Sequence, residues 1–348
     1  MPRGLSNRLN IAFALACGVV LIASAWQTGA RASGDQITVK SRQIAFSILE
    51  PDRRIFGELR YLGGLVLESE DERFGGFSGL VLTRQGQRLL TVSDQGWWLS
   101  ADLRFERGMV SGVQNVRLGP LVNSKGQRFS RKSLQDAEAL ATLGAGESSG
   151  LLVGYERRPR MQLYQVDAQG FSGRPRAIAV PRAMKKGPNN KELEAVGRFG
   201  AGPNAGKYIA ISERYLDADG NIKGWLWQPG RKAEQFVIRR RRTYSVTDMA
   251  ILRGGDVAIL ERRLGFLKLP GVAIRLIKAS DLRKGATVEA RVLMEAAAPA
   301  ELVDNMEGLS AHRLDNGDLV FSLISDDNYN RDLQRTVFYQ FAWPATAQ

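Results

Sequence analysis

The chain has 348 residues, of which 44% are hydrophobic, so it can bury a substantial core and is not expected to be disordered. A single cysteine excludes intrachain disulfides and centres built from several thiolates. The formal net charge of +13 predicts attraction to phosphates or other polyanions without selecting among them.

The N-terminal segment has the plan of a secretory signal peptide. Two arginines precede the apolar run 11–23, and Ala30-Arg31-Ala32 forms a small-x-small cleavage site. We expect cleavage after Ala32, which leaves a cysteine-free domain of residues 33–348 in the periplasm or outside the cell. An uncleaved anchor would need a longer apolar run. Lipidation at Cys17 stays open as an alternative, although the residues before it fit a lipobox poorly.

A two-strand pattern recurs five times after the leader. Each unit has a short apolar strand with a marker residue, a turn rich in Gly, Asp or Asn, and a second apolar strand that ends in an acid. The markers, spaced by 60, 56, 54 and 59 positions, are Ser78, Glu138, Glu194, Asp248 and Glu307. The terminal acids are Asp94, Glu156, Glu213, Glu261 and Asp326, the last followed by Asp327.

This repeat of antiparallel strands, about 57 residues long, predicts an all-β fold, a β-propeller. Each blade of a propeller must stack on its neighbours around an axis to bury both of its faces. The five units, with strands expected between 37 and 69, indicate about six blades. We expect the last strand, 336–343, to pair with N-terminal strands and close the ring. A β-helix is the rival architecture, but its repeats are shorter.

One stretch departs from the β pattern. Residues 290–301 are rich in Ala, Glu and Leu, which is typical of a short helix or of a connector. The run Arg239–Arg242 lies between apolar strands, so a strand rim is a better interpretation than a nucleic-acid signal. We therefore expect no nucleic-acid partner.

Equivalent positions of a propeller repeat lie on a circle about its axis, so the markers and the terminal acids are expected to form two acidic rings at one mouth of the channel. Converging carboxylates destabilise a fold unless they are protonated, paired with bases or bridged by cations. Two roles stay open for each acid: a ligand of Ca²⁺, or a hydrogen-bonded tie between blades. The most ligand-like cluster is Asp326-Asp327-Asn328.

Nucleophilic catalysis has less support in the sequence. His312 is the only histidine, and the surroundings of Ser78, Gly75-Gly-Phe-Ser-Gly79, differ from a nucleophile elbow. A pair formed by Ser78 and His312 nevertheless stays open, because the first and last repeats are neighbours in a closed ring.

Several segments together resemble an exported bacterial family known as esterase-like activity of phytase. They are GGFSGLVLTRQGQRLLTVSDQGWWLSADL at 75–103, DAEALA at 136–141, NKELEAVGRF at 190–199, DNMEGLS at 304–310 and ISDDNYNRDLQRTVFYQF at 324–341. The resemblance covers nearly all of the expected mature chain in the right order.

The resemblance implies a secreted or periplasmic propeller that hydrolyses ester or phosphoester bonds, with Ca²⁺ at an acidic mouth. The metal ligands that it implies are Asp94, Glu156, Glu213, Asp326 and Asp327. The implied catalytic residues are Glu307, Glu194, Glu138 and Ser78. The implied substrate-binding residues are Arg157, Arg214 and Arg335.

The resulting hypothesis is metal-assisted hydrolysis of a small anionic ester or phosphoester. We expect a monomer with no stable membrane span after signal cleavage. A non-catalytic propeller that binds a ligand or protein of the cell envelope is the alternative. A carboxylesterase that uses Ser78 is the third hypothesis.

Overall fold

The computed structural model describes residues 34–143, 150–187, 193–241, 243–265 and 268–348. The signal peptide predicted at 1–32 lies outside the described residues. Within the described ranges, no helix combines the length and apolar character needed to cross a membrane.

The described chain is mainly β-structure. Its strands are β1 (Asp35–Gln36), β2 (Lys40–Ile44), β3 (Ile55–Phe56), β4 (Leu59–Glu68), β5 (Phe77–Thr83), β6 (Arg88–Ser93), β7 (Trp97–Glu106), β8 (Met109–Pro120), β9 (Ala137–Thr142), β10 (Leu151–Tyr155), β11 (Arg160–Asp167), β12 (Gly170–Ile178), β13 (Ala195–Arg198), β14 (Tyr208–Leu216), β15 (Ile222–Trp227), β16 (Glu234–Ile238), β17 (Ser245–Ile251), β18 (Val257–Gly265), β19 (Lys268–Ile277), β20 (Thr287–Val288), β21 (Arg291–Ala297), β22 (Met306–Arg313), β23 (Leu319–Ser325) and β24 (Thr336–Trp343). The helical elements are short: α1 (Lys132–Gln135) and 3₁₀ turns at Arg182–Lys186, Ala279–Asp281 and Ala345–Ala347.

The strands form five sheets, which are the blades of a β-propeller. Their strand orders are β1-β8-β7-β6-β5 in blade 1, β12-β11-β10-β9 in blade 2, β13-β14-β15-β16-β20 in blade 3, β17-β18-β19-β21 in blade 4 and β2-β4-β24-β23-β22 in blade 5. All pairs are antiparallel except β16 with β20. The inner strands β5, β9, β13, β17 and β22 contact one another in succession, and β22 returns to β5.

The propeller has five blades, so the prediction of about six was wrong. The strands expected between 37 and 69 do not form a blade of their own. Instead, β2 and β4 extend blade 5, where β4 pairs with the last strand and places Leu67 opposite Thr336. The short strand β1 pairs with the outer strand of blade 1. These N-terminal strands form hydrogen bonds along the open edges of blades 1 and 5. No N-terminal strand among the described residues is therefore left to build a sixth blade.

Residues 291–297 form a strand, which corrects the expectation of a helix or connector at 290–301. Strand β21 pairs antiparallel with β19 and completes the outer edge of blade 4. Pairing with an open sheet edge outweighs the modest helix propensity of Ala, Glu and Leu.

The core is divided into five apolar clusters, one in each space between neighbouring blades. Between blades 1 and 2, for example, Trp98 stacks on Phe171 with ring centroids 5.6 Å apart. Between blades 4 and 5, Phe46 packs edge-on against Tyr339 and Phe341. Each blade therefore buries both faces, which explains the continuous apolar runs of the central strands.

Small residues allow the inner strands to approach closely around the axis. Gly79 has a φ of +67°, and a Cβ placed there would lie 2.5 Å from the backbone nitrogen of Leu140 in blade 2. A Cβ on Gly308 would lie 2.9 Å from Cβ of Leu80 in blade 1. Glycine is required at both positions because another blade occupies the space of a side chain.

The close approach at Gly79 predicts a large effect of Gly79→Ala on stability. Gly173→Ala is the matched control, because Gly173 has a φ of +68° but nothing within 4 Å of its added Cβ. The control should lose about 1 kcal/mol from backbone strain alone. Gly79→Ala should lose about 1–3 kcal/mol more, from overpacking between blades. Chemical denaturation measures both, and equal losses would contradict the proposed contact.

Candidate functional site

Carboxylates gather at one end of the central channel, where the inner strands begin and the second strands end. They line a cavity of about 230 Å³, which we call the acidic mouth. Its lining residues are Asp94, Asp136, Glu138, Glu156, Arg157, Glu194, Glu213, Arg262, Glu307, Asp326 and Asn328. Eight of the twelve site residues implied from the sequence lie in this lining: Asp94, Glu138, Glu156, Arg157, Glu194, Glu213, Glu307 and Asp326.

A shared backbone hydrogen bond places the terminal acids equivalently in blades 1, 2 and 5. In each, the amide of the terminal acid donates to the carbonyl two residues before the marker. These bonds join Asp94 to Gly76 (3.1 Å), Glu156 to Asp136 (3.0 Å) and Asp326 to Asn305 (2.9 Å). Rotation of one blade onto the next therefore carries one acid onto another, as the repeat predicted.

Blade 4 departs from the predicted rings by one residue. Val246 lies opposite Glu261 and Asp248 lies opposite Leu260, with Thr247 as the extra residue of a bulge. In blade 5 the marker Glu307 is the extra residue of the corresponding bulge. A one-residue shift turns a side chain to the opposite face of its strand. Asp248 and Glu261 are thus absent from the mouth.

The displaced acids of blade 4 are structural ties. The carboxylate of Asp248 accepts backbone hydrogen bonds from Leu309 (2.7 Å), in blade 5, and from Met249 (2.8 Å). Glu261 forms a fully buried ion pair with Arg275 at 2.8 Å. The prediction that both acids belong to the rings was therefore wrong.

Asp327 lies beside the mouth but is not part of its lining. Its carboxylate accepts hydrogen bonds from the backbone of Gly76 (2.9 Å) and Tyr329 (3.1 Å) and from the hydroxyl of Thr336 (3.2 Å). A Cβ on Gly75 would lie 2.6 Å from this carboxylate, so the glycine at this position makes room for it. Asp327 holds its loop against blade 1 and, contrary to the prediction, does not join the ligand cluster.

Ser78 is buried and also lies outside the lining of the mouth. His312 contacts Gly86, in the turn at the far end of β5. A seven-residue strand spans about 20 Å, so Ser78 and His312 lie at opposite ends of neighbouring strands. The arrangement excludes the catalytic pair that the sequence left open.

Two of the three predicted substrate arginines are outside the lining. Nε of Arg214 donates to the hydroxyl of Ser245 (2.9 Å) and lies 3.5 Å from Glu213. Arg335 is exposed, and its backbone amide donates to Asp304 (2.9 Å). Arg157 is in the lining, with Nε 2.7 Å from the carboxylate of Asp136.

Sequence reasoning missed two charged residues of the mouth. Asp136 lies at the position that Asn305 has in blade 5, two residues before the marker. Aligning DAE at 136–138 with NME at 305–307 could have found it. Arg262 occupies the place of a terminal acid, because the register of blade 4 is shifted by one residue. That shift is set by pairing and leaves no clear mark in the sequence.

The acids on one side of the mouth form two overlapping groups of possible cation ligands. One carboxylate oxygen from each of Asp136, Glu138 and Glu156 lies within 4.8 Å of the others, and the same holds for Glu156, Glu194 and Glu213. These are hard oxygen donors without nitrogen or sulfur, which is the donor set that Ca²⁺ and Mg²⁺ prefer. The residues present therefore fit the predicted calcium ion.

The mouth contains more acids than its bases can balance. Arg262 contacts Glu307 and lies 3.6 Å from Glu213, and Lys132 contacts Asp94. Across the described ranges, no lysine or arginine forms an ion pair with Glu138 or Glu194. One oxygen of Asp94, Oδ1, is buried without a hydrogen-bond partner.

Burial, reinforced by neighbouring carboxylates, raises the pKa of Glu138 and that of Glu194 well above the usual glutamate value. Burial also raises the pKa of Glu307 to about 7, although Arg262 opposes the shift. The pKa of Asp326 is well above its usual value for the same reason, burial followed by the charge of Glu307. The mouth must take up protons or cations at neutral pH.

The raised pKa of Glu194 predicts a stabilising substitution. Burial favours the protonated form of Glu194 in the folded state. The stability that this protonated side chain contributes is present below the unfolded pKa and is lost as the pH rises through the native pKa. In chelator, Glu194→Gln should raise the melting temperature at about pH 8 and change it little at about pH 4.

Asp327→Asn is the matched control, because its carboxylate accepts backbone hydrogen bonds from Gly76 and Tyr329. It should destabilise the protein by about 1–3 kcal/mol at both pH values. A loss of stability in Glu194→Gln of the same size at both pH values would show that Glu194 is a tie as well.

Known structures with related shapes superpose only weakly. The Cps50 (Swd1) β-propeller domain of Myceliophteria thermophila is 10% identical with a TM-score of 0.35, covering 88% of this chain and 98% of that one. A protein of unknown function from Dyadobacter fermentans DSM 18053 is 10% identical with a TM-score of 0.38, covering 82% and 99%. The N-terminal domain of Nup159 is 10% identical with a TM-score of 0.33, covering 84% and 78%. These similarities carry no inference about function.

Sequence comparison is more specific. No curated protein matches the chain. The family model Phytase-like, described as esterase-like activity of phytase, matches residues 72–329, which include the inner strands of all five blades and every residue of the acidic mouth. The chain is therefore a member of the phytase-like family.

Proposed function

We propose that the protein is a phytase-like hydrolase that cleaves phosphoester bonds of small anionic substrates at the acidic mouth with the help of Ca²⁺. The proposal rests on the two overlapping groups of three acids, in each of which one carboxylate oxygen per residue lies within 4.8 Å of the others. They occur in a chain of the phytase-like family. Cleavage of carboxylic esters is the second reaction to test, since the family description also names esterase-like activity.

Calcium would be held by the two overlapping groups of acids, which are Asp136, Glu138, Glu156, Glu194 and Glu213. Once bound, it would neutralise the charge of a phosphate and polarise its oxygens. The same acids would repel a phosphate in the absence of a cation. We therefore expect hydrolysis of a phosphoester to require the bound cation.

The side chains of the mouth have separable roles in this proposal. Arg157 is 44% exposed and lies in the lining, so its guanidinium can contact phosphoryl oxygens. Glu307 is oriented by a hydrogen bond from Asn305 (3.0 Å) and by Arg262. Its pKa of about 7 suits a group that accepts a proton from an attacking water at neutral pH.

A non-catalytic binding propeller is the remaining alternative for this site. The ties formed by Asp248, Glu261 and Asp327 support a structural role for some of the repeated acids. The acids of the lining differ from these, because they face a cavity. No observation favours a carboxylesterase based on Ser78, whose expected base lies at the other end of the strand.

The calcium proposal predicts stabilisation of the chelator-treated protein. Added Ca²⁺ at about 100 times its dissociation constant should stabilise the fold by about 2.7 kcal/mol. The rise in melting temperature should be larger at about pH 8 than at about pH 5, because protons compete for carboxylates whose pKa values are raised. Calorimetric titration should give saturable binding, weakened about 10–100-fold in Glu138→Gln.

The control for charge alone is Glu70→Gln, because the Glu70 side chain is 96% exposed and lies outside the mouth.

Hydrolysis of p-nitrophenyl phosphate and of p-nitrophenyl butyrate is measured in the same samples. Arg157→Gln should raise KM for the phosphate ester about tenfold, whereas Arg335→Gln should not. Calcium binding without turnover of either ester would favour the binding propeller, and absence of both would overturn the proposal.

We also propose that the protein is exported, with cleavage after Ala32, and acts in the periplasm or outside the cell. The proposal rests on the apolar run 11–23, the arginines before it and the small-x-small site. Intact-mass analysis after expression in a Gram-negative host should find an N-terminus at Ser33 in the periplasm or medium. A full-length or acylated mass would contradict cleavage at this site. The predicted monomeric state stays a prediction.

A further inference from the structure

The other half of the central channel holds a second cavity, of about 410 Å³, which we call the lower cavity. Its inner end is formed by Leu80, Leu140, Val196, Met249 and Leu309, one apolar residue from each inner strand. In three of the strands, these residues come two positions after an acid of the mouth, which is Glu138, Glu194 or Glu307. They form an apolar layer between the two cavities.

The lower cavity has a chemistry opposite to that of the acidic mouth. Leu82, Ile251, Leu252 and Ala311 extend its apolar wall, and none of the described residues that line it is an acid. Ile251, Leu252 and Ala311 are only partly buried, so their apolar surface is available to a ligand. The volume lies within the range of pockets that hold small organic molecules.

Among the described residues, the charged side chains that line the lower cavity are two arginines, Arg198 and Arg253. Arg253 is exposed, beside the exposed residues Gly200 and Ala201, so this end of the cavity reaches the surface. Neither arginine has a carboxylate partner in the described ranges of the chain. Arg198 makes a long contact (3.5 Å) with the carbonyl of Leu143, and its Cζ lies 5.9 Å from the ring centroid of Tyr208. Two cations at the rim of an apolar cavity favour a ligand with an anionic head and an apolar body.

We propose that the lower cavity binds a free amphipathic anion, with its alkyl chain inside the channel and its carboxylate or phosphate head against Arg198 and Arg253. Burial of the chain removes apolar surface of both partners from water. The two guanidiniums supply charge-assisted hydrogen bonds to the head. The apolar layer separates this site from the acidic mouth, so the proposal does not depend on hydrolysis or on calcium.

Calorimetric titration of the exported protein with sodium decanoate, below the concentration at which it forms micelles, tests the proposal. Decanoate should bind saturably, with 1-decanol binding about tenfold more weakly and acetate not detectably. Arg253→Gln should weaken decanoate about tenfold and leave decanol unchanged, whereas Arg231→Gln, at an exposed arginine outside the cavity, should change neither.

Ala311→Phe tests the cavity itself, because Ala311 lies on the same face of β22 as Leu309 and a larger side chain there fills the channel. The variant should lose decanoate binding while its melting temperature and its calcium titration stay those of the wild type. If the variant unfolds, Leu82→Phe provides the same test from blade 1. Absence of decanoate binding, equal affinity for decanol and decanoate, or binding only to anionic phospholipid vesicles would each overturn the proposal.

Discussion

The close approach of five inner strands around one axis is the constraint on which the rest of this structure depends. It requires glycine where neighbouring blades meet, as at Gly79 and Gly308, and it brings equivalent residues of every blade to the same height in the channel. Side chains that would be scattered along an ordinary sheet are therefore concentrated at two places. One is a mouth of carboxylates, and the other is an apolar cavity bounded by arginines.

Electrostatics divides the acidic mouth into two sides. On one side, Arg262 pairs with Glu307 and approaches Glu213, so the protein carries its own counter-charge there. On the other side, the neighbouring carboxylates of Glu138 and Glu194 have no such partner among the described residues. This imbalance is the physical basis of the proposed cation binding on the second side, whereas the first side provides a fixed positive charge near the proposed base.

Repeated acids in this fold are not equivalent in role, and their geometry distinguishes them. Asp248, Glu261 and Asp327 are also acids of the repeat, but their carboxylates accept hydrogen bonds from backbone amides, from Arg275 and from a threonine hydroxyl. Each of these ties joins or stiffens blades at the level of the mouth. These three acids therefore support the loops and strands that carry the carboxylates of the mouth. They can do so without contacting a ligand.

The sequence by itself determined the class of fold and most of the residues that line the acidic mouth. The spacing of strands and acids was enough to indicate a propeller, and it identified Asp94, Glu138, Glu156, Glu194, Glu213, Glu307 and Asp326 because equivalent positions must converge. The tertiary structure alone decided the number of blades, since the N-terminal strands could either form a new sheet or extend old ones. It also decided the register of blade 4, where a bulge moves Arg262 into the mouth and turns Glu261 away. Strand pairing across the sheet sets both features, and the local sequence does not encode which partner a strand will find.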